Sequence, residues 1–362
     1  MKIITEYLDL IPEIDIKGIC SPEEMLFFDI ETTGLRKETT QLYLIGCVFL
    51  RDGKWQMRQW LAGNTSDEEY ILEDFLDLTG SFNTLVHFNG ERFDIPYIKY
   101  KADYYMIDNH LDNMKSFDIY LNARVCRNLL GLDSMSQKSL EVFLGTQRRD
   151  VYDGGKLIPV YYEYEKNGSE QLEELLLLHN HDDLTGMLQI LSILSYRDLF
   201  DKNYSFLNCS VNDDAMVLDF RLKHAVPAAR NARCNGIFAD DVMISVSDDI
   251  LSISIRITHT RAKMYFDNPS DYYYLPEQDM VIHKDLAKYT DRRKRTRATK
   301  NNCFVEKDGR FIPFFEGCNT KAFYWPDRKG KKLSDLEEIS SSVSEDVFMN
   351  IACLCIDSIT AR

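Results

Sequence analysis

The sequence lacks an apolar run that is long enough to cross a membrane. Its longest uncharged apolar stretch is QLYLIGCVFL at 41–50, half of the roughly 20 residues that a transmembrane helix needs. The N-terminal stretch carries Glu6, Asp9 and Glu13, and these acids are not compatible with a secretory signal peptide. We therefore expect a cytoplasmic protein that does not act at a membrane.

The sequence also lacks a zinc-binding cysteine pattern. Its nine cysteines are scattered, and only Cys353 and Cys355 lie close together. A Cys-x-Cys pair alone does not have the spacing of a structural zinc site, and scattered cysteines are typical of free thiols in a reducing compartment. There is no internal repeat. The length of 362 residues, of which 44% are hydrophobic, indicates two domains with substantial cores.

An excess of positive charge is missing as well, because the net charge is −15. This balance at first argues against a nucleic-acid partner. The charge is unevenly distributed, however. Residues 1–200 hold 19 Lys and Arg against 34 Asp and Glu, whereas residues 201–362 hold 24 of each. All of the excess acid therefore lies in the first part of the chain.

The first 200 residues have the pattern of one α/β domain. Apolar runs predict three strands at 25–30, 42–50 and 55–63, with a hairpin turn at Asp52 and Gly53. Helical and strand patterns then alternate up to a long helix predicted at 171–194, which gives the order βββαβαβα. We predict a mixed five-stranded sheet flanked by helices for residues 1–200.

Residues 201–362 have a different pattern, in which β-branched residues alternate with polar ones between turns. We predict a smaller β-rich α+β domain for this part, with one helix at Met280–Thr296.

Two carboxylates, Asp29 and Glu31, interrupt the apolar run FFDIETTG at 27–34. Residues i and i+2 of a strand point to the same face, so the two side chains lie side by side. Each would resist ionisation beside the other, and a divalent cation removes that conflict. Oxygen ligands favour Mg²⁺ or Mn²⁺. The alternative is a salt-bridged or helix-capping pair at a strand end.

A third acid, Asp94, follows a predicted strand and the turn at Gly90, so it can face the same sheet edge. Its alternative role is to cap the next helix. Asp118, which also follows a strand, is expected to be structural.

The long helix places His179 and Asp183 one turn apart on the apolar stripe that continues with Met187. A bare charge on a core-facing stripe is costly, which favours a functional role for Asp183. For His179 the alternative is a hydrogen-bonded core histidine. His181 and Asp182 point elsewhere and are expected to be solvated.

In order along the chain, these motifs resemble those of the DEDD (DnaQ-like) 3′→5′ exonucleases of the ribonuclease H-like superfamily. The matching segments are D-x-E-T-T-G-L at Asp29–Leu35, N-G-x-x-F-D at Asn89–Asp94 and the helix that carries Asp183. The H-N-x-x-D pattern at 179–183 looks most like the YprB-type ribonuclease H-like domain. The resemblance covers roughly residues 20–200.

The resemblance implies a metal-dependent 3′→5′ exonuclease that acts on DNA or RNA with two divalent cations, Mg²⁺ or Mn²⁺. It implies that the metal ligands are Asp29, Glu31, Asp94 and Asp183, and that His179 is the general base. By family analogy the terminal nucleotide would be contacted by Thr32, Thr33, Gly34 and Leu35, and Asn89 would support the site.

The histidine departs from the family pattern. The His-type enzymes place the histidine five residues before the last acid, and that position is Leu178 here. The Tyr-type enzymes place a tyrosine four residues before it, and that position is His179. Two alternative functions stay open, a non-catalytic nucleic-acid-binding protein on the same fold and a ribonuclease H-like endonuclease.

The second part of the chain contains a dense basic run. Residues 284–300, KDLAKYTDRRKRTRATK, hold eight Lys and Arg against two acids. Sequence-independent phosphate binding needs such a cluster, although a solvated helix is the alternative. The predicted nucleic-acid contacts are Arg292, Arg293, Lys294, Arg295, Arg297 and Lys300. Arg148, Arg149 and Lys156 could also meet phosphates, but we expect them to be solvated.

Overall fold

The computed structural model describes residues 1–10, 12, 18, 20–150, 152, 154–341 and 344–360. The chain divides into two compact units. The first comprises Met1–Arg197 with Val226–Ala228, and the second comprises Asp198–Ala225 with Ala229–Arg362.

The first unit is built on a mixed sheet of six strands. In chain order these are β1 (Lys2–Leu8), β2 (Met25–Thr32), β3 (Leu42–Arg51), β4 (Lys54–Leu61), β5 (Thr84–His87) and β6 (Lys115–Asp118). Their order in the sheet is β1-β4-β3-β2-β5-β6. The pairs from β1 to β2 are antiparallel, and β2, β5 and β6 run parallel.

The mixed sheet flanked by helices is confirmed, but it has six strands and not the predicted five. The additional strand is β1, which pairs along the whole of β4 at the sheet edge. Its residues KIITEYL are mostly exposed, so the strand lacks the apolar run that identified the central strands. Strands β2 and β3 are buried almost throughout, because helices pack on both faces of the sheet centre.

The helices of this part of the chain are α1 (Glu68–Thr79), α2 (Asp94–Tyr105), α3 (Ile119–Ala123), α4 (Arg127–Leu130), α5 (Gln137–Leu144), α6 (Gly154–Asn167), α7 (Glu170–Ile190) and α8 (Arg197–Phe200). The long helix α7 packs against β2 and β3 and against α5 and α6. A Cβ atom on Gly186 of α7 would lie 2.1 Å from Oε1 of Glu141 in α5, so the two helices need a glycine there.

The second unit is β-rich, as predicted. Its strands are β7 (Tyr204–Val211), β8 (Ala215–Leu222), β9 (Arg230–Arg233), β10 (Val242–Ser247), β11 (Ile250–Arg256), β12 (Thr258–Tyr265), β13 (Tyr272–Leu275), β14 (Met280–His283), β15 (Thr296–Arg297), β16 (Phe304–Pro313), β17 (Ala322–Trp325) and β18 (Lys331–Asp335). They form a sheet of order β7-β8-β11-β10-β9, a closed barrel of β12, β16, β18 and β17, and a small sheet of order β14-β13-β15.

The helices of the second unit are α9 (Lys284–Ala287), α10 (Leu336–Ser341) and α11 (Glu345–Thr360). The prediction of one helix at Met280–Thr296 is therefore wrong for most of its length. Val281 and Ile282 pair with β13 as a strand, and the Asp291 side chain caps a single 3₁₀ turn at Arg292–Lys294. Tertiary pairing and local capping override the helical pattern of this segment.

Within the described ranges, every helix is too short or too polar to serve as a membrane-crossing segment.

Candidate metal centre

Strand β2 carries Asp29 and Glu31 on one face near its C-terminal end, as its two-residue period requires. The backbone register of β2 against β3 shifts between Glu31 and Thr32. Glu31 is buried, with 9% of its surface exposed. The sheet therefore places two carboxylates side by side, Glu31 buried and Asp29 half-buried.

Helix α7 brings the next two groups to the same place. Nε2 of His179 lies 3.3 Å from Oε1 of Glu31 and 3.4 Å from Oδ2 of Asp183. One ligand atom from each of these three residues lies within 4.8 Å of the other two. His179 and Asp183 are one helical turn apart, and their spacing on α7 is what lets both face Glu31.

A hydrogen-bond chain holds Asp29. Nδ2 of Asn180 donates to Oδ2 of Asp29 at 2.9 Å, and Nε2 of Gln59 donates to Oδ1 of Asn180 at 2.9 Å. The two bonds fix which end of the Asn180 amide faces Asp29, because only its nitrogen can donate. Asn180 is fully buried and links α7 to the sheet at this point.

Asp94 begins α2 immediately after a tight turn. Asn89 of this turn has a left-handed φ of 62°, and its backbone N–H donates to Oδ1 of Asp118 at 2.9 Å. Asp118 also accepts from the backbone N–H of Leu121, so it caps α3, in agreement with the expected structural role. Burial raises the pKa of Asp94 to about 7, and the charge of Asp118 adds to this.

The pKa values of Asp29 and Glu31 are also raised. Burial is the main cause for both, followed by the negative charge of Asp183. Glu31 and Asp94 raise the pKa of Asp29 further, and Asp94 does the same for Glu31. Four acids therefore repel one another in a partly buried site.

This set of donors fits a divalent cation. Carboxylate oxygens are the preferred ligands of Mg²⁺ and Mn²⁺, and a bound cation would relieve the repulsion that raises the pKa values of Asp29 and Glu31.

A protein cation also enters the cluster, which sequence reasoning did not expect. The guanidinium of Arg148 pairs with Oδ1 of Asp183, and its Nε lies 3.4 Å from Oε2 of Glu141. The expectation that Arg148 is solvated is wrong, because only 11% of its side chain is exposed. Asp183 therefore has a protein counter-ion, whereas Asp29 is held by the neutral amide of Asn180.

The expectation that Asp182 is solvated is also wrong. The residue is buried, and its Oδ2 accepts the backbone N–H groups of Arg149 at 2.7 Å and Asp150 at 2.8 Å. Burial raises the pKa of Asp182, but hydrogen bonds from His181 and from these amides more than offset this and the net pKa is lowered. His181 turns away from the cluster, as predicted, and its Nε2 lies 3.0 Å from Oε1 of Glu6.

The predicted nucleotide-contacting residues form the turn after β2. The Thr32 hydroxyl donates to the carbonyl of Gly34 at 2.9 Å, and the Thr33 hydroxyl accepts the backbone N–H of Gln41 at 2.9 Å. Leu35 is 84% exposed. These contacts hold the turn rigid and leave the leucine side chain available.

The predicted basic run lies in the second unit. Arg292, Arg293, Lys294, Arg297 and Lys300 are exposed and Arg295 is half-buried. The guanidinium groups of Arg295 and Arg297 lie 4.8 and 4.7 Å from the ring centre of Tyr273. Two arginines of the run thus stack on the Tyr273 ring of β13, and the run is not a solvated helix.

Sequence reasoning missed Asp150 in this site. Its Oδ2 lies 2.6 Å from Nδ1 of His179, although 29 residues separate the two along the chain. Asp150 lies outside any regular element, so no periodicity places it. No sequence pattern relates Asp150 to α7. The two meet because the fold brings the segment before α6 beside α7.

The first unit has the RNase H-like fold. Residues 26–195 match the family model RNase_H_2 of the RNase H superfamily. This stretch contains the carboxylates of β2, Asp94 and the α7 residues, so the predicted fold is confirmed. The finer DEDD and YprB-type assignments stay hypotheses. A comparison with curated protein sequences gives no significant match.

Several solved structures align with the chain at low similarity. The family B DNA polymerase of the hyperthermophilic archaeon Pyrobaculum calidifontis is 11% identical over 93% of this chain and 46% of its own, with a TM-score of 0.39. The zinc-bound E. coli ExoI–ssDNA complex is 11% identical over 93% and 73%, with a TM-score of 0.28. Exonuclease I of Methylocaldum szegediense is 10% identical over 93% and 70%, with a TM-score of 0.29. The chain spans less than half of the polymerase. Sequence identities and TM-scores this low do not indicate function.

Proposed function

We propose that the chain is a metal-dependent 3′→5′ exonuclease that hydrolyses the terminal phosphodiester bond of DNA or RNA. The observation that supports this most strongly is the convergence of Glu31, His179 and Asp183, whose ligand atoms lie within 4.8 Å of one another. Asp29 and Asp94 add two further carboxylates whose charges act on this cluster. Four clustered carboxylates, of which Glu31 is buried and the other three are half-buried, are suited to hold cations at a phosphate.

In this proposal two divalent cations, Mg²⁺ or Mn²⁺, are held by Asp29, Glu31, Asp94 and Asp183. Bound cations would supply a water of lowered pKa and would neutralise negative charge at the scissile phosphate. Asn180 keeps Asp29 oriented through its 2.9 Å hydrogen bond. Glu31 is buried, so little water reaches its carboxylate to compete with a cation.

His179 would act as the general base. Its Nε2 faces the carboxylates of Glu31 and Asp183, and it accepts a proton from the attacking water. The water oxygen bonds to phosphorus while the bond from phosphorus to the 3′ oxygen of the preceding nucleotide breaks, and this 3′ oxygen takes a proton from solvent water. The products are a nucleoside 5′-monophosphate and a strand that is one nucleotide shorter and ends in a 3′ hydroxyl.

The turn after β2 would receive the terminal nucleotide. The exposed side chain of Leu35 offers an apolar surface to a base, and the Thr32 and Thr33 hydroxyl groups hold the backbone of the turn. Asn89 supports the neighbouring turn through its bond to Asp118. None of these contacts depends on the identity of a base.

The basic run would bind the phosphate backbone of the substrate. Its exposed guanidinium and ammonium groups are suited to sequence-independent contacts, and Tyr273 holds Arg295 and Arg297 in place. The acidic first part of the chain repels nucleic acid. Substrate binding therefore needs positive charge from another part of the chain, and the basic run supplies it.

A digestion time course tests the proposal. Single-stranded DNA and RNA oligonucleotides labelled at the 5′ end, incubated with Mg²⁺ or Mn²⁺, should give a ladder that shortens one nucleotide at a time. The same strands labelled at the 3′ end should release the label as a mononucleotide in the first turnover.

Two matched substrates distinguish the alternatives. A circular single strand offers no end, so an exonuclease should leave it intact and an endonuclease would cut it. A protein that binds nucleic acid without catalysis would retard the linear strand in a gel and leave its length unchanged. Either of these last two results contradicts the proposed function.

A further inference from the structure

Asp150 and His179 form a buried pair on the side of the imidazole that faces away from the carboxylate cluster. Oδ2 of Asp150 lies 2.6 Å from Nδ1 of His179, and neither side chain is more than 5% exposed. The other ring nitrogen, Nε2, faces Glu31 and Asp183 at 3.3 and 3.4 Å. The two nitrogens of the His179 ring therefore contact different partners: Nδ1 contacts Asp150, and Nε2 faces Glu31 and Asp183.

The chemistry of the pair decides which nitrogen carries the proton. An ionised carboxylate only accepts hydrogen bonds, so an ionised Asp150 requires Nδ1 of His179 to donate to its Oδ2 atom. In a neutral imidazole the remaining nitrogen is then bare and basic. For His179 that nitrogen is Nε2, the one on the side of the candidate metal centre.

A second carboxylate fixes the position of Asp150. Oδ2 of Asp182 accepts the backbone N–H groups of Arg149 and Asp150, and the backbone N–H of Tyr152 donates to Oδ1 of Asp150 at 2.9 Å. Asp182 and His179 belong to the same helix, α7. Asp182 of α7 thus binds the backbone of residues 149–150. The side chain of Asp150 in turn contacts His179 of the same helix.

We propose that Asp150 is a positioning residue that sets the tautomer and the ring orientation of His179, so that Nε2 is free to accept the proton of the attacking water. The proposal rests on the proposed function in assigning a purpose to the bare nitrogen. The tautomer is inferred from the 2.6 Å contact of Asp150 with Nδ1 of His179 and from an ionised Asp150, without reference to any activity. The alternative is that Asp150 only fixes a loop against α7 and has no effect on the tautomer or orientation of the His179 ring.

Nuclear magnetic resonance of the full chain tests the tautomer without any activity. The protein is labelled with ¹⁵N-histidine, and the His179 signals are assigned from their absence in a His179→Gln variant. We expect Nδ1 to carry a proton both in the metal-free protein and after addition of Mg²⁺. A bare Nδ1 in the folded parent protein overturns the proposal.

The Asp150→Leu variant removes the acceptor while it keeps an apolar group of similar size in the buried position. We expect the neutral ring of His179 to move its proton to Nε2, where Glu31 and Asp183 accept it. Asp150→Asn restores an acceptor oxygen and should recover the Nδ1–H form. If the leucine variant does not fold, the spectrum of the parent protein still decides.

Kinetics on an oligonucleotide give an independent readout. Loss of a carboxylate that orients a site histidine typically costs roughly 10–100-fold. We expect Asp150→Leu to lower kcat by this factor with little change in KM, and Asp150→Asn to recover part of the loss. Asp103→Asn, on the exposed surface of α2, is the matched control and should behave as the parent protein.

The two proposals can fail separately. If the parent protein does not cleave nucleic acid, the proposed function fails and the ¹⁵N spectrum still tests the pairing of Asp150 with His179. If the parent protein cleaves and Asp150→Leu keeps the parental kcat, the positioning role is wrong and the proposed function stands.

Discussion

Gly46 of β3 lies so close to Asn180 of α7 that a Cβ atom on Gly46 would be 1.9 Å from the Asn180 Oδ1 atom. Gly46 is also the direct neighbour of Asp29 in the pairing of β3 with β2. The missing side chain therefore gives α7 the room to approach the sheet beside the first carboxylate. Asn180 uses this approach to donate to Asp29.

We predict that Gly46→Ala weakens both the fold and the site. The added methyl group must displace Asn180 and Leu184, and overpacking of a core typically costs about 1–3 kcal/mol in the free energy of unfolding. Chemical denaturation should show this loss, and cleavage of an oligonucleotide should fall with it. Gly309→Ala in β16 is the control, because its Cβ would meet the nearest atom at 3.5 Å. Parental stability and activity in the Gly46 variant would refute the packing argument.

The stability of the metal-free protein should fall as the pH rises from about 4 to about 7. The pKa of Asp94 rises from its ordinary value of 3.8 to about 7 in the folded chain, so in this window the folded state binds more protons than the unfolded state. Asp29 and Glu31 have raised pKa values of the same sign. Ionisation in the folded protein therefore costs free energy as these groups lose their protons.

Thermal unfolding with and without Mg²⁺ measures this effect. Because the cation needs ionised carboxylates, Mg²⁺ should raise Tm more at pH 8 than at pH 5. Each pKa unit corresponds to about 1.4 kcal/mol, and one kcal/mol to roughly 2–4 °C, so a difference of several degrees is expected. In Asp94→Asn the metal-free pH dependence should be smaller. A metal-free Tm that rises with pH in the parent protein relative to this variant contradicts the assignment.

His179 and His181 should differ sharply in their importance for cleavage. His179 faces Glu31 and Asp183, whereas His181 is turned towards Glu6. General base catalysis contributes roughly 10²–10⁴-fold, so His179→Ala should lower kcat by a factor in this range. His181→Ala serves as the control and should keep most of the activity. A larger loss in the His181 variant would show that the other face of α7 meets the substrate.

Removal of charge from the basic run should weaken substrate binding and its dependence on salt. We suggest Arg292→Gln, Arg293→Gln and Lys300→Gln together, because these exposed residues leave the stacking of Arg295 and Arg297 on Tyr273 intact. Each lost phosphate contact on a single strand should lower the salt slope by about 0.7.

Filter binding at several salt concentrations gives the slope, and cleavage at saturating substrate should change little. The control is the triple variant Arg51→Gln, Lys54→Gln and Lys166→Gln, which removes the same charge from exposed positions in the first unit. Equal slopes in the two triple variants would mean that the run does not bind phosphate.

The parts of the fold that depend on buried apolar runs could be predicted from the sequence. Strands β2 and β3 consist almost entirely of buried residues, and the i, i+4 spacing placed His179 and Asp183 together on α7. Strand β1 was not predicted, because an exposed edge strand has few apolar residues in a recognisable pattern. Just before the basic run, pairing of Val281 and Ile282 with β13 outweighed a pattern that suits a helix.

The site residues that escaped prediction depend on contacts between distant segments. Arg148 and Asp150 lie in an irregular segment, where no period relates them to α7. Asp182 looked solvated because it is off the apolar stripe, yet the amides at 149–150 bury it. Neighbouring positions on a helix can thus face a second packed segment, and helical phase alone does not reveal that segment.

The binding of Mn²⁺ to the metal centre is the most direct test, because it does not depend on which nucleic acid is the substrate. Calorimetric titration of the parent protein should show saturable binding of up to two ions. Asp29→Asn and Asp183→Asn should each lower the number of bound ions or weaken their binding by at least an order of magnitude, and Asp103→Asn should match the parent protein. Equal binding in the parent protein and in both carboxylate variants would contradict the assignment of this cluster as the metal centre.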